Sequence, residues 1–239
     1  MCIRDRAKNM IELPRHPKNN TLAKPGSPID YGKRGSASYG RTRLIETLLR
    51  FEMWEKIIKL SQTVYLEETT IPEEQAKRLA AIGAAHYSLG QADKGAEALA
   101  KLNDIIARLK EFKLEAGTGA EEKAREEKKN DNDINKAMVD AMNKFNGRFK
   151  TVNQYKAELL AYQAIADDDK DAFKKQIGKA GRIARERKAQ LHLKIGDEKE
   201  AAKLAGQSAK SIGQVQPLAN YVDILWQSGK EKEAIEQFK

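Results

Sequence analysis

Cys2, His16, His86 and His192 are the residues here that could act as nucleophile, general base or soft metal ligand, and their placement gives little to build a site from. Cys2 stands alone, so the chain holds no CxxC pair, zinc cluster or disulfide framework. His16 falls in a proline-rich stretch, His86 on the face of an expected helix beside Tyr87, and His192 near an expected turn. No HExxH, GxSxG, Walker or dinucleotide glycine pattern occurs. Gly35-Ser36-Ala37-Ser38 is too short a signal to count. The expectation is therefore no catalytic residue, no cofactor and no metal within this chain.

One constellation could bind instead of react. Between 174 and 188, Lys174, Lys175, Lys179, Arg182, Arg185, Arg187 and Lys188 meet a single acid, Glu186. Helical spacing would put Lys175, Lys179 and Arg182 on one face, with Arg185 beyond, making a local positive field suited to an acidic peptide tail or acidic domain. A plain solvated helix surface explains the same charges more simply. The aromatic residues Trp54, Tyr87, Tyr155, Tyr162, Tyr221 and Trp226 supply a second set, of which Tyr87 and Trp226 are the candidates for a peptide groove and the rest read as core.

Net charge is +9, which would suit a nucleic-acid partner if it were spread over the folded body. It is not. Residues 1–43 hold ten Lys or Arg against three acids, so +7 of the +9 sits there and only +2 remains beyond. That balance argues against a phosphate-tracking surface. No apolar run approaches the roughly 20 residues that span a bilayer, so no membrane association is expected.

The positioning elements are expected to be helices throughout. Hydrophobic residues make up 40% and aromatic residues 6% of the chain, a composition suited to thin Ala and Leu seams between helices. Residues 1–38, with Pro14, Pro17, Pro25 and Pro28, read as an extended basic arm, whose first six residues resemble a translated sequencing-adaptor remnant and are set aside. Helical pattern starts near Tyr39 and breaks near Glu52. It resumes from Trp54, and again from Pro72 to residue 89 with Thr70 as its cap, stopped by Gly90. From about 93 a long helix follows, broken at Gly117 and Gly119 and at Asn130-Asp131-Asn132-Asp133. A second runs from about 133 to 166, striped by Met138, Met142, Phe145, Phe149 and Val152.

Leu79, Ile82, Gly83, Tyr87, Gly90, Gly95 and Leu99 stand at the offsets of the tetratricopeptide (TPR) repeat, with Gly83 expected to meet Gly95 where the paired helices cross. The pattern returns at Gly196 with Ala201 and Ala205, and at Gly229 with Ala234 and Phe238. A degenerate copy surrounds Asp168. Expected turns thus fall at 52, 90, 168, 196 and 229. The organisation read from this is an arm over 1–38, TPR-like helix pairs over 39–109, a charged helical-hairpin insertion over 110–152, and further pairs over 153–239. The fold class is an all-α TPR-like superhelix of hairpins.

The stretches Tyr39-Gly40-Arg41-Thr42-Arg43-Leu44, Arg50-Phe51-Glu52-Met53-Trp54, Tyr65-Leu66-Glu67 and Glu73-Glu74-Gln75-Ala76-Lys77-Arg78-Leu79 resemble the helical region of certain large bacterial proteins. In that family a TPR-like region precedes a redoxin (thioredoxin-like) domain. The resemblance covers residues 39–239. It implies that any redox cysteines lie beyond Lys239, and it favours a periplasmic setting. The amphipathic pattern at Glu236-Gln237-Phe238-Lys239 has no closing cap, so the gene product is expected to continue, and the apolar residues Leu225, Trp226, Ile235 and Phe238 to drive self-association. The function read from sequence is a non-catalytic interaction or scaffold module with a protein or peptide partner, which a domain of the same full-length chain could supply. The alternative is the helical part of a redoxin-type thiol-disulfide or peroxide-handling oxidoreductase.

Overall fold

A computed structural model describes residues 3–12, 36–181, 183–212 and 215–238, and among these all regular structure is helical, with no strand. Among the described residues no helix is long and apolar enough to cross a membrane. The chain divides into two compact units, Met1–Gln163 and Ala164–Lys239.

The first unit opens with α1 (Ile3–Glu12), which packs on α2 (Ser36–Arg50) and buries Ala7 and Ile11, one helical turn apart. An extended arm is therefore the wrong reading for these residues. The prolines from Pro14 onward gave residues 1–38 a single reading and hid the Ala7 and Ile11 spacing. Pro14, Pro17, Pro25, Pro28 and His16 lie outside the described residues. Next come α3 (Trp54–Leu60), a 3-10 turn at Val64–Leu66, α4 (Pro72–Ser88), α5 (Ala92–Glu126), α6 (Asp131–Asn143) and most of α7 (Asn146–Ala166). Pro72 starts α4 as expected, but the cap position is Ile71 and no side chain caps it, so Thr70 does not have that role.

α5 runs unbroken for 35 residues through Gly117 and Gly119. Gly117 does not break it because the missing side chain is used. A Cβ there would sit 2.9 Å from Met142 Cγ, so the glycine lets α6 lie close. The second expected break is real, since the Asn130 side chain accepts from the Asp133 N–H and caps α6. The returning arm is two helices, interrupted where Asn143, Asn146 and Gly147 cluster, all poor helix formers.

Gly83 and Gly95 do not meet each other. A Cβ on Gly83 would fall 2.6 Å from Leu159 Cδ1, and one on Gly95 would fall 2.7 Å from the Tyr87 ring. Each glycine instead receives a large side chain from another helix.

The second unit holds α8 (Lys170–Ile177), α9 (Arg185–Lys194), α10 (Glu198–Ile212), α11 (Val215–Gln227) and α12 (Glu231–Phe238). α9 packs on α10, and α11 on both of them as well as on α12. Its core is a cluster of Ala189, Ala201, Ala202, Ala205, Ile224, Leu225 and Ala234.

Six helix ends, spread over both units, close in one way. Left-handed backbone at Glu52, Gly90, Lys128, Asp168, Gly196 and Gly229 is followed each time by an N–H that returns to the carbonyl five residues earlier, as from Gln91 to His86 and from Asp197 to His192. This is the Schellman closure, which satisfies carbonyls that a helix end leaves bare. All five turns expected from sequence are among the six; the one at Lys128 was unforeseen.

Candidate functional site

The basic stretch of the second unit is built by two helix ends. Asp169 Oδ1 accepts from the Asp171 and Ala172 N–H groups at 3.1 and 2.9 Å and starts α8, which buries Phe173 and Ile177. Lys174 and Lys175 are left outside in its last turn, where a cation suits the negative end of the helix dipole. Gly178 then ends the helix, and residues 179–181, 183 and 184 are not helical. Lys175, Lys179 and Arg185, the first residue of α9, are all exposed, and the single helix face expected to carry Lys175 and Lys179 is cut at Gly178. The physical reason is the short α8, which ends at Ile177 with Gly178 as its C-cap, so the cations are not carried on one continuous helix. Arg182 lies outside the described residues.

The one acid of this stretch is turned inward. Glu186 is buried and accepts from Ser208 Oγ on α10 at 3.1 Å. Lys175, Lys179 and Arg185 therefore share the surface with no carboxylate from residues 174–188 other than one already engaged below it.

The two described histidines repeat a single arrangement, in different units. His86 Nδ1 lies 2.8 Å from Gln91 Oε1, and His192 Nδ1 lies 3.1 Å from Asp197 Oδ2. Both span five residues across a Schellman turn, tying the last helical residues to the start of the next helix. His192 also meets the Phe173 ring edge-on, with centroids 5.1 Å apart. Burial, the largest single influence, would raise the Asp197 carboxyl, but the His192 hydrogen bond, the Glu200 N–H and the charges of His192 and Lys174 together outweigh it and hold it below the usual range. These rings clamp turns. The signal for them was legible as His-x-x-x-Gly followed by Gln or Asp, at 86–91 and again at 192–197.

The aromatic candidates separate cleanly. Tyr87 is buried with its ring over Gly95, so it cannot line a groove. Trp54 and Tyr162 are buried edge to face, 5.8 Å apart, and burial, with a smaller contribution from the Glu52 charge, drives the Tyr162 hydroxyl pKa far up. Trp226, by contrast, is 55% exposed.

A small polar cleft in the first unit, ≈ 20 Å³ and so room for about one water, lies beside Ser38, Arg41, Glu67, Glu74, Lys77 and Arg78. Its charges are engaged: Arg41 with Glu67, Ser38 with Glu74, and Lys77 with Glu46 at 2.9 Å. Buried Arg78 donates to the carbonyls of Leu66 at 2.6 Å and Ser61 at 3.0 Å. It latches the 61–66 segment onto α4, and sequence reading missed it because an Arg within a helix looks like surface. Among the described residues no group of three or more His, Cys, Asp or Glu could hold a metal.

No protein family, curated protein or solved structure matches this chain.

Proposed function

We propose that this chain is a protein-interaction module of TPR-like helix pairs, which takes an acidic protein or peptide segment on the basic surface of its second unit. The carrying observation is that Lys175, Lys179 and Arg185 are exposed while Glu186, the one acid of residues 174–188, is buried against Ser208. The TPR-like character is supported by the recurring Schellman turns and by Tyr87 seated on Gly95, the close helix approach that such repeats use. The acidic segment could belong to another protein or to a domain of the same full-length chain.

Fluorescence anisotropy with a labelled Glu-rich peptide tests this, with a Lys-rich peptide as control. Three exposed charge pairs at roughly 0.5 kcal/mol each come to about 1.5 kcal/mol, so the triple variant Lys175→Glu, Lys179→Glu, Arg185→Glu should lose about tenfold or more in affinity. Added salt should weaken wild-type binding. Equal affinity for both peptides, or unchanged affinity in the triple variant, would refute the proposal.

A further inference from the structure

One Schellman glycine from each unit sets a register. Gly90 and Gly196 have the same left-handed φ of 71°, so the hairpin α4–α5 can be laid on α9–α10 by matching these two residues. Positions inside each hairpin agree under this match. His86 and Gln91 fall on His192 and Asp197, the two clamped pairs, and buried Gly83 and Gly95 fall on buried Ala189 and Ala201.

One pair of matched positions changes chemistry while staying inside. Ala80 and Leu102 of the first unit, 3% and 0% exposed, fall on Glu186 and Ser208 of the second, 5% and 1% exposed. The first hairpin fills these positions with aliphatic groups, so packing of such a hairpin does not call for a carboxylate there. A buried carboxylate is costly, because it gives up water and needs hydrogen-bond donors in return. Ser208 on α10 supplies one of them, its Oγ donating to Glu186 Oε1 at 3.1 Å.

The position of Glu186 in the helix gives its carboxylate a second place to go. It lies in the first turn of α9, directly after Ala184 and Arg185, both of which are exposed. A change of side-chain rotamer, with the helix in place, takes such a side chain from the interior to water. There it adds a negative charge next to Arg185 and repels the carboxylates of an approaching acidic segment. Losing one buried donor shifts the balance outward by about tenfold or more, since an unmet buried acceptor forfeits its hydration without return.

We infer that Ser208 is a positioning residue for the basic surface: by holding the Glu186 carboxylate inside the second unit, it keeps Lys175, Lys179 and Arg185 available to an acidic segment. This rests on the acidic-partner reading and adds to it the residue that governs the surface charge. Ser208 is itself buried, so it acts on a partner only through Glu186.

Two measurements on the full chain test this, one of position and one of binding. Carbodiimide coupling of an amine labels carboxylates that water reaches, and mass spectrometry of the digested chain reads each one. In wild type Glu186 should stay unlabelled while exposed Glu198 on α10 reacts, and in Ser208→Ala both should react. In the anisotropy assay, Ser208→Ala should bind the Glu-rich peptide about fourfold more weakly than wild type, with one attraction offset and one repulsion added at about twofold each. The double variant Ser208→Ala, Glu186→Gln should regain wild-type affinity, because the side chain that turns out then carries no charge. Ser208→Cys, which keeps the volume with a weaker donor, should fall between Ser and Ala in both measurements and serves if the alanine variant folds poorly. Equal labelling of Glu186 in wild type and Ser208→Ala overturns the inference, and so does a loss of affinity that Glu186→Gln fails to restore, which would mean loosened packing. A Glu186 that becomes labelled in the variant while wild type binds both peptides equally overturns the acidic-partner reading and, with it, the role given to Ser208.

Discussion

Gly95, Gly117 and Gly119 lie on one helix, α5, and the same substitution to Ala should give three different results. In a helix interior, Ala for Gly is worth about 0.5–1 kcal/mol through lower chain entropy in the unfolded state. At Gly119 nothing lies within 4 Å of the new Cβ, so Gly119→Ala should stabilise by that whole amount. At Gly117 the new methyl meets Met142 Cγ at 2.9 Å and Sδ at 3.1 Å, which are atoms of a flexible chain that can swing aside. Gly117→Ala should be near neutral. At Gly95 the methyl meets three atoms of the Tyr87 ring at 2.7 to 2.8 Å, and that ring is buried and has nowhere to move. Overpacking costs about 1–3 kcal/mol, so after the propensity gain Gly95→Ala should lose about 1 kcal/mol net. Thermal unfolding followed at 222 nm resolves this, since 1 kcal/mol moves the midpoint by roughly 2–4 °C in a chain of this size. If Gly95→Ala stabilised as much as Gly119→Ala, the close seat of Tyr87 would be wrong. A destabilising Gly119→Ala would refute the unbroken α5.

Arg78→Ala should cost at least about 2 kcal/mol, because it leaves the buried acceptors Leu66 O and Ser61 O without their donor, and urea titration of the variant against wild type measures it. Asp197 is held below its ordinary value of 3.8, so its contribution to folding is complete above that pH and is lost as pH falls through the lower folded value. The midpoint gap between wild type and Asp197→Asn should therefore be constant above pH 3.8 and close below it; a gap that widened on acidification would refute the assignment.

Turns were the best-read features. Glycine marks 90, 196 and 229 and aspartate marks 168, residues that tolerate left-handed backbone, while 52 showed as a break in the apolar period; the Schellman closure is a local requirement, settled within six residues. Lys128 escaped because nothing about a lysine announces φ of 55°. The candidate surface was legible only in part. Its cations could be listed, but the inward turn of Glu186 depends on Ser208, 22 residues away, and the end of α8 at Gly178 split a face that periodicity had joined. Tyr87 and Trp226 looked alike in sequence. Tyr87 found a glycine, Gly95, to lie on and is buried, whereas Trp226 has Ala234 at the matching offset and is exposed.

By itself the sequence determined the helical content, five of the six Schellman turns and the recurrence of small residues after the glycine turns, since all three follow from local backbone energetics and a 3.6-residue period. Tertiary structure alone decided what each small residue is for, because a missing side chain records that something comes close without naming it. Gly83 receives Leu159, Gly95 receives Tyr87 and Gly117 receives Met142, and those partners are chosen by the packing of helices remote in the chain.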